Sequence, residues 1–436
     1  MKSSLYSSFL EVAKSFSSNN AISDKNEDLT YQQFLNRIDF YQTKIDASKN
    51  TCAVIYLPKC IDMVAIQLAL NAKEVAFLTL EWNQENRKNE CIEKVKPSIF
   101  ITLINNKIEL INLENYSIYP EDIGYIVFSS GSTGNPKQIW MKSTPVIEVV
   151  KQQAEITSFT DKNVFLWLLN SAFDASLSDI YLTLLSGGHL IITELNALNT
   201  KKIFQLIEKY QVTHTDIPPV VFSVWLKSFQ QKKISLSLNH IIFGGELANE
   251  SVTKEMLHFV HLYNAYGPTE TTICSSLRKV DNSWSNNNVG TPLIGVYYKI
   301  TNDELHIGGN HCAIGYDSDI LNQKFYIEND IKWFKTGDIF KEQNGEFYYV
   351  GRKDRQFKFN GQLICPEEIE NKAKLAGAEN SQLVFSENKM TLYYSGNLNK
   401  ELFEKTIVSW MKPQIYKHIQ NIENNLNQNW KLKINE

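Results

Sequence analysis

The sequence lacks the signatures of several protein classes. Its six cysteines form no C-x-x-C pair and no Cys/His cluster with metal-ligand spacing, which fits a reduced compartment. Its longest apolar stretches, such as Tyr181–Ile192, are too short and too interrupted to span a bilayer. Polar residues break the apolar core that a secretion signal needs near the N-terminus. With 44 basic and 48 acidic residues the net charge is −4, so no basic field favours nucleic acid. We therefore expect a soluble, cytoplasmic protein of enzyme size that binds neither nucleic acid nor membrane.

What the sequence does contain is an alternation of strand and helix patterns. The apolar run Thr51–Leu57 predicts a parallel strand buried on both faces. Met63–Ala72 predicts a helix, and Val75–Leu80 predicts the next strand. Another helix is predicted to begin within residues 29–34, with Thr30 as its N-cap. The rhythm returns at residues 164–169, 188–192, 203–210 and 241–243. We therefore predict an α/β fold whose sheets are covered by helices.

The pattern changes after about residue 290. Short strands with glycine-containing turns dominate there, for example at residues 304–309 and 346–350. Residues 351–355 (GRKDR) predict a charged turn, followed by a strand at 356–359 and a helix from about 366 to 376. We place a domain boundary at Asp354. This gives a large N-terminal core domain, residues 1–353, and a small C-terminal α+β domain, residues 354–436, with room for only a modest core.

The loop at residues 129–137 (SSGSTGNPK) follows the apolar strand 125–128. A loop of small residues after a strand can wrap phosphates with its backbone N–H groups and hydroxyls, and a lysine at its end adds positive charge. It is not a Walker loop, because the glycine–lysine spacing differs and Pro136 precedes Lys137. A simple surface turn is the alternative, so the loop needs support from other motifs.

Three further motifs supply that support: residues 264–272 (NAYGPTETT), 334–338 (FKTGD) and 351–356 (GRKDRQ). In this order the four motifs resemble the adenylate-forming superfamily of acyl- and aminoacyl-activating ligases. Within it the chain is most similar to the amino-acid adenylation domains of nonribosomal peptide synthetases, from about residue 25 onward. The resemblance implies a reaction that joins a carboxylate to the α-phosphorus of ATP and expels pyrophosphate. Such a site must supply positive charge and oriented hydrogen-bond donors.

The resemblance implies an ATP contact for each motif. The loop and Lys137 would hold the β- and γ-phosphates, Thr269 the α-phosphate, and Glu270 the Mg²⁺ ion, for which a carboxylate is a suitable ligand. Tyr266 would stack on adenine, and Asp338 would accept hydrogen bonds from the ribose hydroxyls. Each residue alone would more simply be structural, but their joint spacing favours the family. The full set implied for ATP binding and catalysis is Ser129, Ser130, Gly131, Ser132, Thr133, Gly134, Lys137, Gly245, Glu246, Asn264, Tyr266, Gly267, Thr269, Glu270, Asp338, Arg352 and Lys431.

Two further segments bear on the acid that is activated. Residues 173–176 (FDAS) resemble the family segment whose aspartate pairs with the α-ammonium of an amino acid. A charge buried without its partner is costly, so Asp174 would reject acids that lack the amine; a helix N-cap is the alternative. Residues 429–432 (NWKL) resemble the terminal Asn-Gly-Lys motif, whose lysine bridges the substrate carboxylate and ATP. Trp430 stands where glycine is usual, and Lys431 has the alternative of a solvated tail lysine.

Alignment on these motifs predicts a pocket for the substrate side chain. Several of its residues are small, which leaves room for a long side chain, and Asp216 puts one carboxylate deep inside. An anion there needs a cation or a strong donor, which predicts arginine, lysine or ornithine as the substrate, with glutamine as the neutral alternative. D-alanine would leave the pocket underfilled. The implied substrate-binding residues are Phe173, Asp174, Ala175, Ser178, Asp216, Ile242, Gly244, Ala265, Ile273 and Cys274.

The resemblance also implies a second half-reaction. The small domain would be mobile and rotate about a hinge at Asp354. The turn at residues 360–362 (NGQ) would then line the tunnel for a phosphopantetheine thiol. This segment departs from the family pattern, because Asn360 and Leu363 stand where arginines are usual and Cys365 replaces a glutamate. The departure bears on the acceptor of the aminoacyl group more than on adenylation.

The acceptor is expected to be a separate molecule. No carrier segment follows Glu436 and no condensation domain precedes Met1. We therefore expect a free-standing enzyme of antibiotic or secondary-metabolite synthesis that loads a peptidyl-carrier protein in trans. Direct transfer to an amine by an amide ligase, an acyl- or aryl-CoA ligase, and a non-catalytic nucleotide-binding relic are the alternatives.

Overall fold

The computed structural model describes residues 4–129, 137–231, 237–386 and 388–419, and these form an α/β protein with several sheets. Its helices are α1 (Leu5–Ser15), α2 (Tyr31–Lys44), α3 (Ile61–Ala72), α4 (Glu85–Val95), α5 (Thr144–Thr157), α6 (Ala175–Leu185), α7 (Thr200–Tyr210), α8 (Phe222–Gln231), α9 (Glu250–Met256), α10 (Asp319–Asn322), α11 (Pro366–Leu375) and α12 (Lys400–Thr406).

The strands fall into two runs along the chain. The first run is β1 (Asn20–Ser23), β2 (Asp28–Thr30), β3 (Cys52–Tyr56), β4 (Ala76–Thr79), β5 (Ile99–Ile104), β6 (Lys107–Asn112), β7 (Tyr125–Ser129), β8 (Lys137–Met141), β9 (Val164–Trp167), β10 (His189–Ile192), β11 (His214–Asp216), β12 (His240–Gly244), β13 (His261–Tyr266) and β14 (Ser276–Lys279). The second run is β15 (Asn288–Gly290), β16 (Val296–Thr301), β17 (Glu304–Gly309), β18 (Gly315–Tyr316), β19 (Phe325–Glu328), β20 (Ile331–Gln343), β21 (Glu346–Arg352), β22 (Phe357–Phe359), β23 (Gln362–Ile364), β24 (Ala378–Ser386), β25 (Lys389–Gly396) and β26 (Ile415–His418).

Two large mixed sheets form the body of the N-terminal part; the first is mostly parallel, and the second has three parallel and three antiparallel strand pairs. The first has the order β14-β13-β12-β11-β9-β10-β1-β2, and the second has the order β18-β8-β7-β4-β3-β5-β6. Helices α3 and α6 are apolar on nearly all sides and are buried along most of their length, in one core that also contains residues of both sheets. A helix with this composition is stable only where it is covered all round.

The remaining strands build smaller sheets. Strands β15, β16, β17, β20 and β21, with β19 paired to β20, form a mostly antiparallel sheet that carries the segment 334–338 and ends at Arg352. Strands β24, β25 and β26 pack with α11 and α12 around a separate core whose members include Ile369, Leu392 and Phe403. The chain therefore has a large N-terminal domain and a smaller C-terminal one. The exact boundary at Asp354 stays a prediction.

Most local predictions are confirmed with small shifts of their ends. The strand predicted at 51–57 is β3, all five of whose residues are buried, and the helix predicted at 63–72 is α3. The charged turn predicted at 351–355 is wrong at its start, because Gly351 and Arg352 continue β21 by pairing with Ile339 and Asp338. No helix in the described part of the chain is long and apolar enough to cross a membrane.

Thr30 makes the capping box that begins α2. Its side-chain oxygen accepts a hydrogen bond from the Gln33 backbone N–H at 3.3 Å, and its own N–H donates to Gln33 Oε1 at 2.8 Å. Replacing Thr30 with alanine should cost about 1 kcal/mol of stability, because one helix N–H loses its partner. The urea midpoint of Thr30→Ala checks this, with Thr30→Ser as the control that keeps the cap. An unchanged midpoint for Thr30→Ala would show that the cap contributes nothing.

Candidate active site

One cavity of about 680 Å³ lies at the carboxyl ends of the parallel strands. In a parallel sheet these ends point the same way, so the loops that follow them meet at one edge. The cavity is lined by most of the site residues predicted from the sequence, from both the ATP and the substrate sets. These are Ser129, Phe173, Asp174, Ala175, Ser178, Asp216, Ile242, Gly244, Gly245, Ala265, Gly267, Thr269, Glu270, Ile273, Cys274, Asp338 and Arg352.

Some predicted residues are not in this lining. Lys137 is 6% exposed on β8, paired with Ser129 across the loop between them, and burial lowers the pKa of its ammonium. Asn264 and Tyr266 are buried on β13, and Glu246 is half-buried, with its Oε1 accepting a hydrogen bond from the Val220 N–H at 3.2 Å. The loop members Ser130, Gly131, Ser132, Thr133 and Gly134, and Lys431, lie outside the described residues.

Asp174 stands at the start of α6 and faces the cavity. Its Oδ1 accepts a hydrogen bond from the Ala175 backbone N–H at 3.0 Å, so the N-cap interpretation holds geometrically. Its Oδ2 is buried and makes no hydrogen bond of good geometry within the described residues, although the Thr269 side chain and the Ile273 N–H lie near the carboxyl and partly oppose the effect of burial. Burial raises the pKa of this carboxyl to about 6. A buried carboxylate with one free oxygen can bind a cationic group that enters the cavity.

The inner wall of the cavity carries a polar chain that the sequence interpretation missed. Gln153, on α5, accepts a hydrogen bond from the Ser178 hydroxyl at 2.6 Å and donates to Cys274 Sγ at 3.3 Å. These three residues line the cavity close to Asp174 and Asp216. Gln153 lies on a helix without a recognisable motif. The sequence therefore gave no indication that this residue lines the cavity.

Asp216 ends β11, and its side chain belongs to the cavity lining. The residue is 8% exposed, and burial raises the pKa of its carboxyl to about 8. The ionised form is therefore favoured only above that pH, unless a cation or a donor enters and stabilises the charge. This is the behaviour expected of a residue that pairs with an incoming ligand.

The part of the cavity predicted to bind the nucleotide is held by charged hydrogen bonds. Asp338 accepts from the Tyr266 hydroxyl at 2.7 Å and from Arg352 Nη1 at 2.5 Å. Arg352 also donates to Asp354 through Nε at 2.9 Å, which ties the predicted hinge residue to the sheet. Carboxylate oxygens carry more than one lone pair, so Asp338 retains acceptor capacity for hydroxyl groups of a ligand.

The small domain closes this cavity with a lysine and a glycine turn. The ammonium of Lys358 lies 5.3 Å from the centre of the Tyr266 ring, which leaves that side of the ring occupied by a cation. A Cβ on Gly245 would lie 2.8 Å from the carbonyl oxygen of Gly361, so the two backbones touch directly. Asn360, Gly361 and Gln362 line the cavity; the tunnel for a phosphopantetheine thiol stays a prediction.

Glu270 offers one carboxylate for a magnesium ion at the cavity. Its Oε1 accepts a hydrogen bond from the Tyr316 hydroxyl at 2.5 Å. No group of three or more metal-ligating side chains occurs in the described part of the chain. Magnesium commonly uses one or two carboxylates together with phosphate oxygens and water. The residues present therefore fit an ion that arrives with a nucleotide.

The wall next to Glu270 is a strained segment. Thr272 and Ile273 both have positive φ angles, +61° and +63°, which are unfavourable for β-branched residues. The Thr272 hydroxyl donates to the His311 carbonyl at 2.7 Å and holds the segment in place. Such strain is concentrated at binding and catalytic sites, and here it directs Ile273 into the cavity.

The chain is similar in sequence to known proteins. A family model described as AMP-binding enzyme matches residues 112–316. The chain is 26% identical over 424 residues to the nonribosomal peptide synthetase kk1B of Curvularia clavata, covering 85% of this chain but only 3% of that protein. It is 25% identical over 392 residues to a D-alanine–D-alanyl carrier protein ligase of Staphylococcus aureus, covering 81% of this chain and 79% of the ligase.

Solved structures share the fold. A holo form of PA1221, a nonribosomal peptide synthetase protein with adenylation and carrier domains, has a TM-score of 0.85 at 20% identity, over 98% of this chain and 83% of that one. An o-succinylbenzoate CoA synthetase of Bacillus subtilis has a TM-score of 0.83 at 17% identity, over 99% and 97%. The chain is therefore similar to AMP-binding enzymes over residues 112–316, a little under half of its length. Because it spans so little of the first relative, that protein's overall activity does not transfer with the match.

Gly245→Ala should disturb the contact between the domains. A side chain there would meet the backbone of Gly361 and would also be strained at φ +82°. We expect a stability loss of about 1 kcal/mol from the backbone strain and faster trypsin cleavage at Lys353 and Arg355, because the small domain no longer docks.

Gly345→Ala is the matched control for this variant. Gly345 has φ +81°, but a Cβ there would meet nothing within 4 Å. It should lose similar stability without faster cleavage. Equal cleavage in both variants would contradict a specific role of the Gly245–Gly361 contact.

Proposed function

We propose that this protein activates an amino acid as its adenylate and then transfers it to the phosphopantetheine thiol of a carrier protein supplied in trans. In the first step a carboxylate oxygen of the amino acid attacks the α-phosphorus of ATP, and the bond to pyrophosphate breaks. In the second step the thiol sulfur attacks the acyl carbon, and AMP leaves. The proposal goes beyond the similarity to AMP-binding enzymes, because it names an activity, a substrate class and an acceptor.

The observation that carries the amino-acid assignment is Asp174. Its Oδ2 is buried without a partner in the described structure, and the residue lines the same cavity as Thr269 and Glu270. An α-ammonium would supply the missing partner, whereas a plain carboxylic acid would leave the carboxylate uncompensated at a cost of about 1–3 kcal/mol or more. An acyl- or aryl-CoA ligase, the class of the Bacillus subtilis structure, has no evident use for this residue.

Positive charge for the reaction comes from several directions. Arg352, at the end of β21 in the large domain, and Lys358, in the small domain, line the cavity, and Lys137 ends the predicted phosphate loop. A bound Mg²⁺ ion, held by Glu270 and phosphate oxygens, would neutralise charge on the phosphates. Thr269 offers a hydroxyl to the α-phosphate. Preorganised charges and donors of this kind stabilise the transition state most strongly where water is excluded.

The side-chain pocket supports a basic amino acid. Asp216 lies at its deep end, and small residues such as Ala175, Gly244 and Ala265 leave length between it and Asp174. A lysine, ornithine or arginine side chain would bring its cation to Asp216. Glutamine is the neutral alternative, because its amide can hydrogen-bond to either protonation state of that carboxyl.

The first measurement is ATP–pyrophosphate exchange with each proteinogenic amino acid, ornithine and D-alanine, with decanoate and benzoate as controls. We expect exchange to peak with arginine, lysine or ornithine. Exchange with another amino acid would keep the activity and reject the side-chain pocket. Exchange with decanoate or benzoate alone would move the protein to the acyl-activating branch. Product formation that rises on adding holo-carrier protein, rather than an amine or coenzyme A, would identify the acceptor.

The pH dependence of exchange tests Asp216. Its carboxyl has a pKa of about 8 when the pocket is empty, so binding a cation must displace a proton below that pH. The KM for the basic amino acid should therefore fall by roughly tenfold per pH unit at most between pH 6.5 and 8, while lysine and arginine side chains stay charged. Glutamine should show little change. Asp216→Asn should abolish the trend and weaken the basic substrate, and a persisting trend would exclude Asp216 as its cause.

The tail lysine is tested by Lys431→Ala, with Lys433→Ala as the neighbouring control. Loss of Lys431 should strongly slow adenylate formation. It should leave thioester formation from supplied adenylate largely intact. Measuring the two half-reactions separately checks this. Equal losses in both half-reactions would reject the assigned role.

A further inference from the structure

A third charged group lies behind the substrate pocket, near Trp167. Lys59 Nζ donates hydrogen bonds to the carbonyl oxygens of Trp167, Leu168 and Leu169 at 3.3, 3.4 and 3.3 Å. The same Nζ atom lies 5.1 Å from the centre of the Trp167 ring. Lys59 lines the cavity. It follows β3, so a second sheet contributes a cation to the floor of the pocket.

Asp216 lies beside Trp167 in the first sheet. Strands β9 and β11 are neighbours, and Thr215 pairs with Leu166. The next residues along the two parallel strands, Asp216 and Trp167, are therefore adjacent. The lysine held at Trp167 and the carboxylate proposed to bind the substrate thus belong to one cluster.

Asp179 is the second carboxylate of this cluster. It follows Ser178 on α6, which packs against β9. Its side chain is fully buried, and neither carboxylate oxygen has a hydrogen-bond partner in the described part of the structure. Burial raises the pKa of Asp179 well above its usual range; Asp216 raises it further, and Lys59 opposes the rise. The ionised form therefore depends on the nearby ammonium.

We propose that Asp179 is a positioning residue for substrate specificity that serves as the counter-ion of Lys59 and so leaves Asp216 to the substrate. This rests on the proposed basic substrate. When both carboxyls are ionised, two carboxylates and one ammonium leave one net negative charge, which matches one cationic side chain. Glu194, the other carboxylate that acts on Lys59, is paired with Lys25 at 3.2 Å. Without Asp179, Lys59 would compensate Asp216 and the floor would be neutral. Selection for a cation would then disappear although Asp216 is still present.

Asp179→Asn keeps the shape of the side chain and removes its charge. In ATP–pyrophosphate exchange we expect the KM for the preferred basic amino acid to rise about tenfold, with the KM for ATP and the exchange with glutamine unchanged. Adding Lys59→Met should restore the KM to near its original value, because both members of the pair are then gone. Lys59→Met alone should keep the preference for the cation. Asp39→Asn, an exposed carboxyl on α2, is the matched control.

The rescue separates charge from structure. A merely structural Asp179 would leave the double variant as impaired as Asp179→Asn, and that result would overturn the inference. So would an unchanged KM in Asp179→Asn, or a loss of cation preference in Lys59→Met, which would assign selection to the lysine.

A second arm needs no substrate. Urea unfolding at pH 8 is measured for the parent, both single variants and the double variant. If Lys59 is the counter-ion, Asp179→Asn should stabilise the Lys59→Met background more than it stabilises the parent, because Asp179 is uncompensated there. Equal effects in the two backgrounds would overturn the pair. The urea experiment could show that Lys59 and Asp179 are coupled while the exchange assay shows no preference for basic amino acids. That combination would reject both the proposed substrate and the specificity role of Asp179.

Discussion

The cost of burying carboxylates without water governs the site. Asp174, Asp179 and Asp216 lie in or beside one cavity at the end of a sheet, and burial raises the pKa of all three. Each must be neutralised by a proton, a neighbouring cation or a ligand. A fold that keeps such groups in a dry pocket gives up stability, and it recovers that free energy when a ligand of opposite charge binds. This cost is the physical basis of the proposal that the substrate carries a cationic group.

The sheet arrangement explains why these carboxylates meet. Strands such as β3 are buried on both faces, so their residues are apolar and the polar groups are displaced to the loops at their ends. Asp216 and Gly245 lie at the carboxyl ends of the neighbouring parallel strands β11 and β12, so they reach the same edge of the first sheet, and Lys59 reaches the cavity from the end of β3 in the second sheet. The small domain then adds Lys358 from the opposite side.

The sequence predicted those features that depend on residues close together along the chain. The Thr30 cap, the buried run of β3 and the general α/β class are local patterns, and they were predicted well. The motif around Thr269 was also predicted to reach the site, because a resemblance supplied its environment.

The residues that were missed depend on distant partners. Lys59 and Asp179 look like ordinary polar residues beside a strand and within a helix, and their importance arises only when β9 brings them together. Gln153 is joined to Ser178 and Cys274 by folding alone. The position of Lys59 at the carboxyl end of a buried strand was the one available signal, since ligand sites gather there. For Asp179 no such signal exists in a single sequence.

The contact between Phe173 and Trp410 has an optical consequence. The ring of Trp410 comes from the small domain and meets Phe173, the neighbour of Asp174, edge to face at a centroid distance of 6.3 Å. Tryptophan emission depends on the packing and polarity around the indole. The protein therefore has an intrinsic fluorophore at the contact between its two domains. A change in the distance between the domains should change the tryptophan emission without any added label.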